Sequence, residues 1–147
     1  MAYSSENDLL KEMSESDLAK LTGDTSGQTI NSDRVNNAID NADAMINSYL
    51  CGRYSVPFAG TPDAIIKKIS VDMTIGNLYE SAYGRTTVPS TIVWRRLNSI
   101  KLLKDIQSGV VGLSSIGSGT GTPPAIISNK DDKSTIFSDN ILDSFYE

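Results

Sequence analysis

Side chains suited to catalysis or metal binding are few in this sequence. Its 147 residues include no histidine and a single cysteine, Cys51. Without histidine the chain lacks the usual general base near neutral pH, the most common zinc ligand and every histidine-based triad. Cys51 cannot form an internal disulfide, and its neighbours predict a small buried hydrophobe, with a reactive thiol as the alternative. The carboxylates are scattered along polar helix faces, so we expect a protein that is not an enzyme and that needs no cofactor or metal.

Asp24 is the acidic residue of a polar, turn-rich segment, "GDTSGQTINS", at residues 23–32. The alternating oxygen-bearing side chains are similar to those of a calcium-binding loop. The bidentate acid that completes such a loop is missing. The composition therefore favours a solvated loop over a metal site.

Charge is unevenly distributed along the chain. Residues 1–43 carry three basic and nine acidic groups, residues 44–124 carry eight and four, and residues 125–147 carry two and five. This is either ordinary solvated surface or a pattern in which acidic segments of one copy meet basic faces of another copy or of a partner. The net charge of −5 argues against the usual electrostatic binding of duplex DNA.

No membrane span or signal peptide is expected. The sequence has no run of about 18 apolar residues, and its N-terminus lacks a basic segment followed by an apolar one and a cleavage site. With one cysteine in the whole chain, a reducing cytoplasm is the expected compartment.

Apolar residues recur at three- and four-residue steps over three long segments, which predicts an all-α fold, a small bundle of three longer helices. Residues 5–22 predict two short N-terminal helices, capped by Ser5 and by Ser14 or Ser16. Capping and stop residues set the bounds of the long helices. These are about 33–51 (cap Ser32, stop Gly52), 62–83 (cap Thr61, stop Gly84) and 90–108 (stop Gly109).

The third long helix has two contrasting faces. One is apolar and is expected to face the core: Val93, Leu97, Ile100, Leu103 and Ile106. The other is basic, and serves either as plain solubilising charge or as a docking surface: Arg95, Arg96, Lys101 and Lys104.

The composition changes after Gly109, which divides the chain into a helical domain, a linker and an arm. We expect the domain at residues 1–109, with short helices in 1–22 and core helices in 32–109. Residues 110–124 predict a flexible linker rich in Gly, Ser, Thr and Pro.

Residues 125–147 predict an extended C-terminal arm with large apolar side chains beyond the flexible tether. These side chains are Ile136, Phe137, Ile141, Leu142 and Phe145. They suit binding to a partner surface by strand addition or pocket insertion, and folding back over the chain's own core is the alternative.

The segment "YLCGRYSVPFAG", residues 49–60, predicts a structural corner between the first two long helices. Gly52 is expected to supply a left-handed residue that ends the helix, and Pro57 to fix an extended exit. Tyr49 and Tyr54 are expected to bury their rings beside Gly52.

Arg53, in the same corner, is predicted to make a charged hydrogen bond to Asp72 on the next helix. The alternative is an exposed Arg53 and an Asp72 that faces solvent.

Five segments, in this order, give the chain a family resemblance. They are "MAY…DLLKEM…DLAKLTGD", "INSYLCGRYSVPF", "IIKKISVDMTIGNLYE", "LLKDIQSGVVGL" and "STIFSDNILDSF". The chain resembles the head–tail adaptor (neck, or head-completion) proteins of Mu-like phages and prophages, whose corner reads Y-x-x-G-R-Y-x-x-P. Relatives often carry several Asp residues in the loop at 23–31, where this chain has one, so a metal site is not carried over.

The resemblance implies a structural connector of a tailed bacteriophage. Such a subunit would form a ring with neighbouring copies, twelve-fold in the family, on the portal protein, and would present a platform to a downstream neck or tail protein. DNA would pass through the channel without sequence-specific binding, and no membrane would be involved. The expected location is the virion neck, with the host cytoplasm during assembly. Two alternatives stay open: a tail-side completion protein, and a small helical nucleic-acid-binding regulator that uses the basic helix face.

Overall fold

Two short and three long α-helices make up the chain over residues 2–84 and 88–113, the part that this computed structural model describes. The helices are α1 Glu6–Leu10, α2 Glu15–Leu21, α3 Ser32–Leu50, α4 Ala64–Tyr83 and α5 Ser90–Ser108. No β-strand occurs among the described residues. The predicted all-α class and the order of short and long helices are confirmed. The arm residues Ile136, Phe137, Ile141, Leu142 and Phe145 lie outside the described residues.

Side-chain caps set the starts of three helices. The Ser14 hydroxyl accepts a hydrogen bond from the Asp17 N–H at 3.1 Å, which starts α2. The long helices differ from prediction by one or two residues, because Asn31 caps α3 in place of Ser32 and Asp63 caps α4 in place of Thr61. Asparagine and aspartate are strong N-caps, and the Asp63 carboxylate also complements the positive end of the α4 dipole.

Helix α4 lies at the centre of the bundle and packs against α3 and α5. It buries side chains around most of its circumference through its middle turns, from Ile69 to Gly76. At Gly76 an added Cβ would lie 3.4 Å from the Arg96 side chain, which is ordinary van der Waals contact, so α5 does not approach closely enough to require a glycine. None of the described helices is apolar enough over sufficient length to span a bilayer.

The buried apolar residues form two clusters. The first cluster lies near the corner, and includes Tyr3, Ile46, Leu50, Tyr54, Phe58, Ile69, Leu103 and Ile106. The second joins the short helices to the other end of α3 and α4, and includes Leu9, Leu18, Leu21, Val35, Ile39, Ile75 and Leu78. The N-terminal segment is therefore an integral part of the core.

Helix α5 buries less of its apolar stripe than the periodicity predicts. Leu103 and Ile106 are buried and Ile100 is partly buried, but Val93 and Leu97 are 42% and 51% exposed. The expectation that Val93 and Leu97 face the core was wrong, because α3 and α4 cover only the C-terminal half of this stripe.

Gly109 ends α5 in the left-handed conformation, at φ +84°, as predicted. The chain then returns to the first cluster, where Leu113 is buried and Val111 is partly buried. The first residues of the predicted linker therefore belong to the domain.

Candidate functional site

Cys51 and Asp24 each make hydrogen bonds within their own segment of the chain. Cys51 is exposed, and its thiol donates a weak hydrogen bond to the Ser48 carbonyl at 3.4 Å. The expectation of a buried cysteine was wrong, because the residue follows the last turn of α3 on its solvent side. The Asp24 carboxylate accepts hydrogen bonds from Ser26 and Thr29 of its own loop, which lower its pKa to about 2. Within 2–84 and 88–113, no group of acidic or cysteine side chains could hold a metal ion.

The corner at residues 49–60 differs from its prediction, first of all at Gly52. Gly52 does not adopt a left-handed conformation, and an added Cβ there would meet no heavy atom within 4 Å. Helix α3 instead runs into a further turn, in which Arg53 and Tyr54 donate their N–H groups to the Leu50 carbonyl. The Tyr54 ring is buried and Tyr49 is half-buried, while Pro57 is exposed and follows a cis peptide bond.

Asp72 is buried and pairs with residues other than Arg53. Its carboxylate accepts from Arg95 Nε at 3.0 Å and from Lys68 Nζ at 3.1 Å. Arg53 is exposed, lies 5.8 Å from the Tyr54 ring centroid and covers Gly109. The predicted Arg53–Asp72 pair was therefore wrong, since α5 places Arg95 directly against Asp72.

The four basic residues of α5 divide into two pairs with different roles. Arg95 bridges Asp72 and Glu12, and Arg96 pairs with Glu80 at 2.8 Å. Lys101 and Lys104 are exposed and have no ion pair among the described residues. Because the arginines hold the helices together, only the lysines remain available as free positive charge for a partner.

An exposed apolar surface on the N-terminal half of α5 is the most distinctive feature of the described chain. We call this the α5 face, and it comprises Val93, Trp94 and Leu97, which are 42%, 63% and 51% exposed. Beside it lies a groove of about 140 Å³ between α4 and α5, lined in part by Gly76, Ile92 and Arg96. Clustered exposed apolar side chains are typical of interaction surfaces.

Trp94 was missed by the sequence reasoning. It is the one tryptophan of the chain, placed next to an apolar stripe but one position off it. Tryptophan is enriched at protein interfaces because it offers a large, rigid contact area. That composition signal could have identified the residue.

A buried polar network around Asp43 was also missed. The Asp43 carboxylate accepts from the Tyr3 N–H at 2.8 Å and from the Ser70 hydroxyl at 2.7 Å. Burial raises the pKa of Asp43, although these hydrogen bonds oppose the shift. The Tyr3 hydroxyl donates to Asn47 and accepts from the Phe58 N–H, so the network ties the N-terminus to α3, α4 and the corner.

Comparison with known proteins identifies the family. No curated protein matches this chain. A family model described as "Bacteriophage Mu, Gp36" matches residues 3–125, which include all five helices, the corner and the α5 face. The chain is therefore a bacteriophage protein, and it belongs to the bacteriophage Mu Gp36 family.

Proposed function

We propose that this protein is a structural head–tail connector, which forms a ring with its own copies on the portal and completes the DNA exit channel. The ring would offer a platform to a downstream neck or tail protein, place the protein in the virion neck and act without catalysis or a cofactor. Family membership supports a phage role, and the resemblance to head–tail adaptors supports this particular one, with a ring of twelve.

The α5 face is the observation that carries the proposal. Most apolar residues of the described chain are buried in two clusters, whereas a valine, a tryptophan and a leucine lie exposed together on one helix. Burial of one such side chain contributes about 1.5–3 kcal/mol, so an isolated subunit forgoes several kcal/mol that assembly would recover.

The two arginines of α5 form ion pairs within the chain and the two lysines do not, which supports a protein partner over DNA. Arg95 and Arg96 are neutralised by Glu12, Asp72 and Glu80, which leaves two free lysines on this helix. Affinity for duplex DNA comes largely from basic side chains that contact phosphates, and this helix of an acidic chain offers only two of them.

The test is binding of the purified protein to portal-bearing heads and, separately, to isolated tails, followed by sedimentation and electron microscopy. We expect a ring on the portal of the heads and no binding to tails. Leu97→Asp should abolish ring formation, because it places a charge in the apolar face without touching the core. Asn36→Asp, which introduces the same charge at an exposed position on α3, is the matched control and should bind normally.

Other outcomes would contradict the proposal. Binding to tails but not to heads would identify a tail-side completion protein. A salt-dependent shift of duplex DNA, without binding to either particle, would indicate a nucleic-acid-binding regulator.

A further inference from the structure

The α5 face lacks a partner within the described chain, and its surroundings limit what can cover it. It is apolar at Val93, Trp94 and Leu97, and the exposed lysines of the same helix, Lys101 and Lys104, follow within one to two turns. A complementary occupant would combine large apolar side chains with negative charge.

A second α5 helix matches this surface less well than an acidic segment would. In a parallel contact between two α5 helices, Lys101 and Lys104 of one copy would lie beside the same lysines of the other, and like charges in an interface are costly. In an antiparallel contact the lysines would lie at opposite ends, where the face residues Val93, Trp94 and Leu97 offer them no acidic side chain.

The C-terminal arm of this chain has the complementary chemistry. Residues 134–147, "STIFSDNILDSFYE", contain three acidic residues and no basic one. Phe137, Ile141 and Phe145 recur every four residues, which is the spacing of anchors that an amphipathic helix lays into an apolar groove. The acidic residues of the segment are Asp139, Asp143 and Glu147.

The tether is long enough for this contact. The described chain ends at Leu113, which is buried at the C-terminal end of α5, and about 20 residues separate it from the segment 134–147. A flexible chain of that length spans roughly 25 Å on average and far more when extended. The length of the tether is therefore compatible with contact between the arm of one subunit and the α5 face of an adjacent subunit.

We infer that the α5 face binds the C-terminal segment 134–147 of a neighbouring copy. Each subunit then carries one donor, the segment 134–147, and one receptor, the α5 face, at separate places. This head-to-tail arrangement closes into a ring when the rotation between neighbouring subunits permits. The inference rests on the proposed ring and names the contact that builds it. Burial of Trp94, the one tryptophan of the chain, reports the contact directly.

Two full-length variants separate the donor from the receptor. Leu97→Asp disables the face, and the double substitution Phe137→Ser with Ile141→Ser disables the arm. Val110→Ser removes an exposed apolar side chain beyond the C-terminal end of α5 and serves as the matched control. Circular dichroism checks that all variants keep the helical fold.

The readouts are mass by analytical ultracentrifugation and Trp94 emission over a range of protein concentrations. The wild type and the Val110→Ser control should associate beyond a dimer as concentration rises, with a blue shift of Trp94 emission. Each disabled variant alone should remain at the monomer mass of 15.8 kDa. An equimolar mixture of the two should form a species of twice that mass and nothing larger, because it contains one intact arm–face pair. Added salt should weaken the association.

Three outcomes would overturn the inference. Association of the arm variant by itself would mean that another surface covers the α5 face. A buried Trp94 at every concentration, with no dimer in the mixture, would mean that the arm folds onto its own subunit. A wild type that stays monomeric with Trp94 exposed would mean that the pair does not form.

The proposed function is judged separately, by binding to portal-bearing heads. If the variants fail to complement each other but the wild type still forms a ring on heads, the arm–face contact is wrong and the connector role stands. If complementation succeeds but heads are not bound, the contact stands and the connector role is wrong.

Discussion

Arg95 links three parts of the chain, and its replacement by alanine should destabilise the fold. The guanidinium binds the buried carboxylate of Asp72 on α4 through Nε at 3.0 Å and Nη2 at 2.8 Å. Nη2 also binds Glu12, in the turn that follows α1. Arg95→Ala would remove both contacts and leave Asp72, 6% exposed, with Lys68 as its remaining partner.

The loss of stability in Arg95→Ala depends on the contacts that Asp72 keeps after the substitution. Removal of one partner from a buried ion pair typically costs 3–5 kcal/mol. Here Lys68 still holds the second oxygen of Asp72 at 3.1 Å, and the Arg95 side chain is 32% exposed, so solvent screens part of the interaction. The Glu12 contact adds little because that side chain is 44% exposed. We therefore expect a loss of about 2 kcal/mol in the free energy of unfolding.

Urea unfolding followed by circular dichroism measures this loss. Lys104→Ala, an exposed position on the same helix without an ion pair among the described residues, is the matched control and should change the free energy by less than about 0.5 kcal/mol. Arg95→Ala should destabilise the Asp72→Asn variant less than the wild type, because no buried carboxylate is then left with one partner fewer. A double-mutant cycle should therefore give a coupling energy between Arg95 and Asp72 of about 1 kcal/mol or more.

A second readout comes from Glu12. The hydrogen bond from Arg95 and its charge hold the pKa of Glu12 below its ordinary value, so that pKa should rise in Arg95→Ala when followed by NMR. The reasoning would be refuted if Arg95→Ala unfolded like the control and left the pKa of Glu12 in place.

Three further predictions test the glycine, acid and thiol assignments. Gly109→Ala should cost more than about 1 kcal/mol, because the left-handed backbone opposes a Cβ and the Arg53 guanidinium would have to move aside. Gly52→Ala should be neutral or stabilise by up to about 1 kcal/mol, and equal effects of the two substitutions in urea unfolding would contradict this. Burial raises the pKa of Asp43, so the stability of the fold should increase as pH falls from that raised value towards 3.8. Asp43→Asn should flatten this part of a profile of melting temperature against pH. A profile unchanged by the substitution would be inconsistent with the raised pKa. Cys51 should react with a thiol reagent as completely in the native protein as in urea, and native protection would show that it is buried.

Periodicity predicted the helical framework well, whereas the predicted caps of α3 and α4 were misplaced by one and two residues. The stripe through Val35, Ile39 and Ile46 is buried along α3, and Gly109 ends α5 as expected. These features depend on local sequence, since a period near 3.6 and a residue with positive φ act within one or two turns. Local rules therefore sufficed for the class and order of elements.

The errors concern contacts between distant segments. Periodicity identifies an apolar face but not what covers it, so Val93 and Leu97 were assigned to the core although they face solvent. The partner of Asp72 depends on how α5 crosses α4, and no local pattern encodes this crossing. Asp72 therefore pairs with Arg95 of α5 and not with the predicted Arg53.

Asp43 illustrates a signal that was present but unused. It follows Ala42 and lies four residues after Ile39, at a position on the buried side of α3. An acid at such a position needs a hydrogen-bond donor from elsewhere, which here comes from Tyr3 and Ser70. The need for a donor could have been predicted, but the identity of the donors could not.

The position of Tyr3 has a practical consequence for how this protein can be divided. Its ring fills the first cluster while its amide and hydroxyl satisfy groups on α3 and in the corner. A fragment that begins at α3 would lack the Tyr3 ring, which would leave a cavity in the first cluster. It would also leave the buried Asp43 carboxylate without its hydrogen bond from the Tyr3 N–H. The minimal folding unit therefore includes the residues that precede α1.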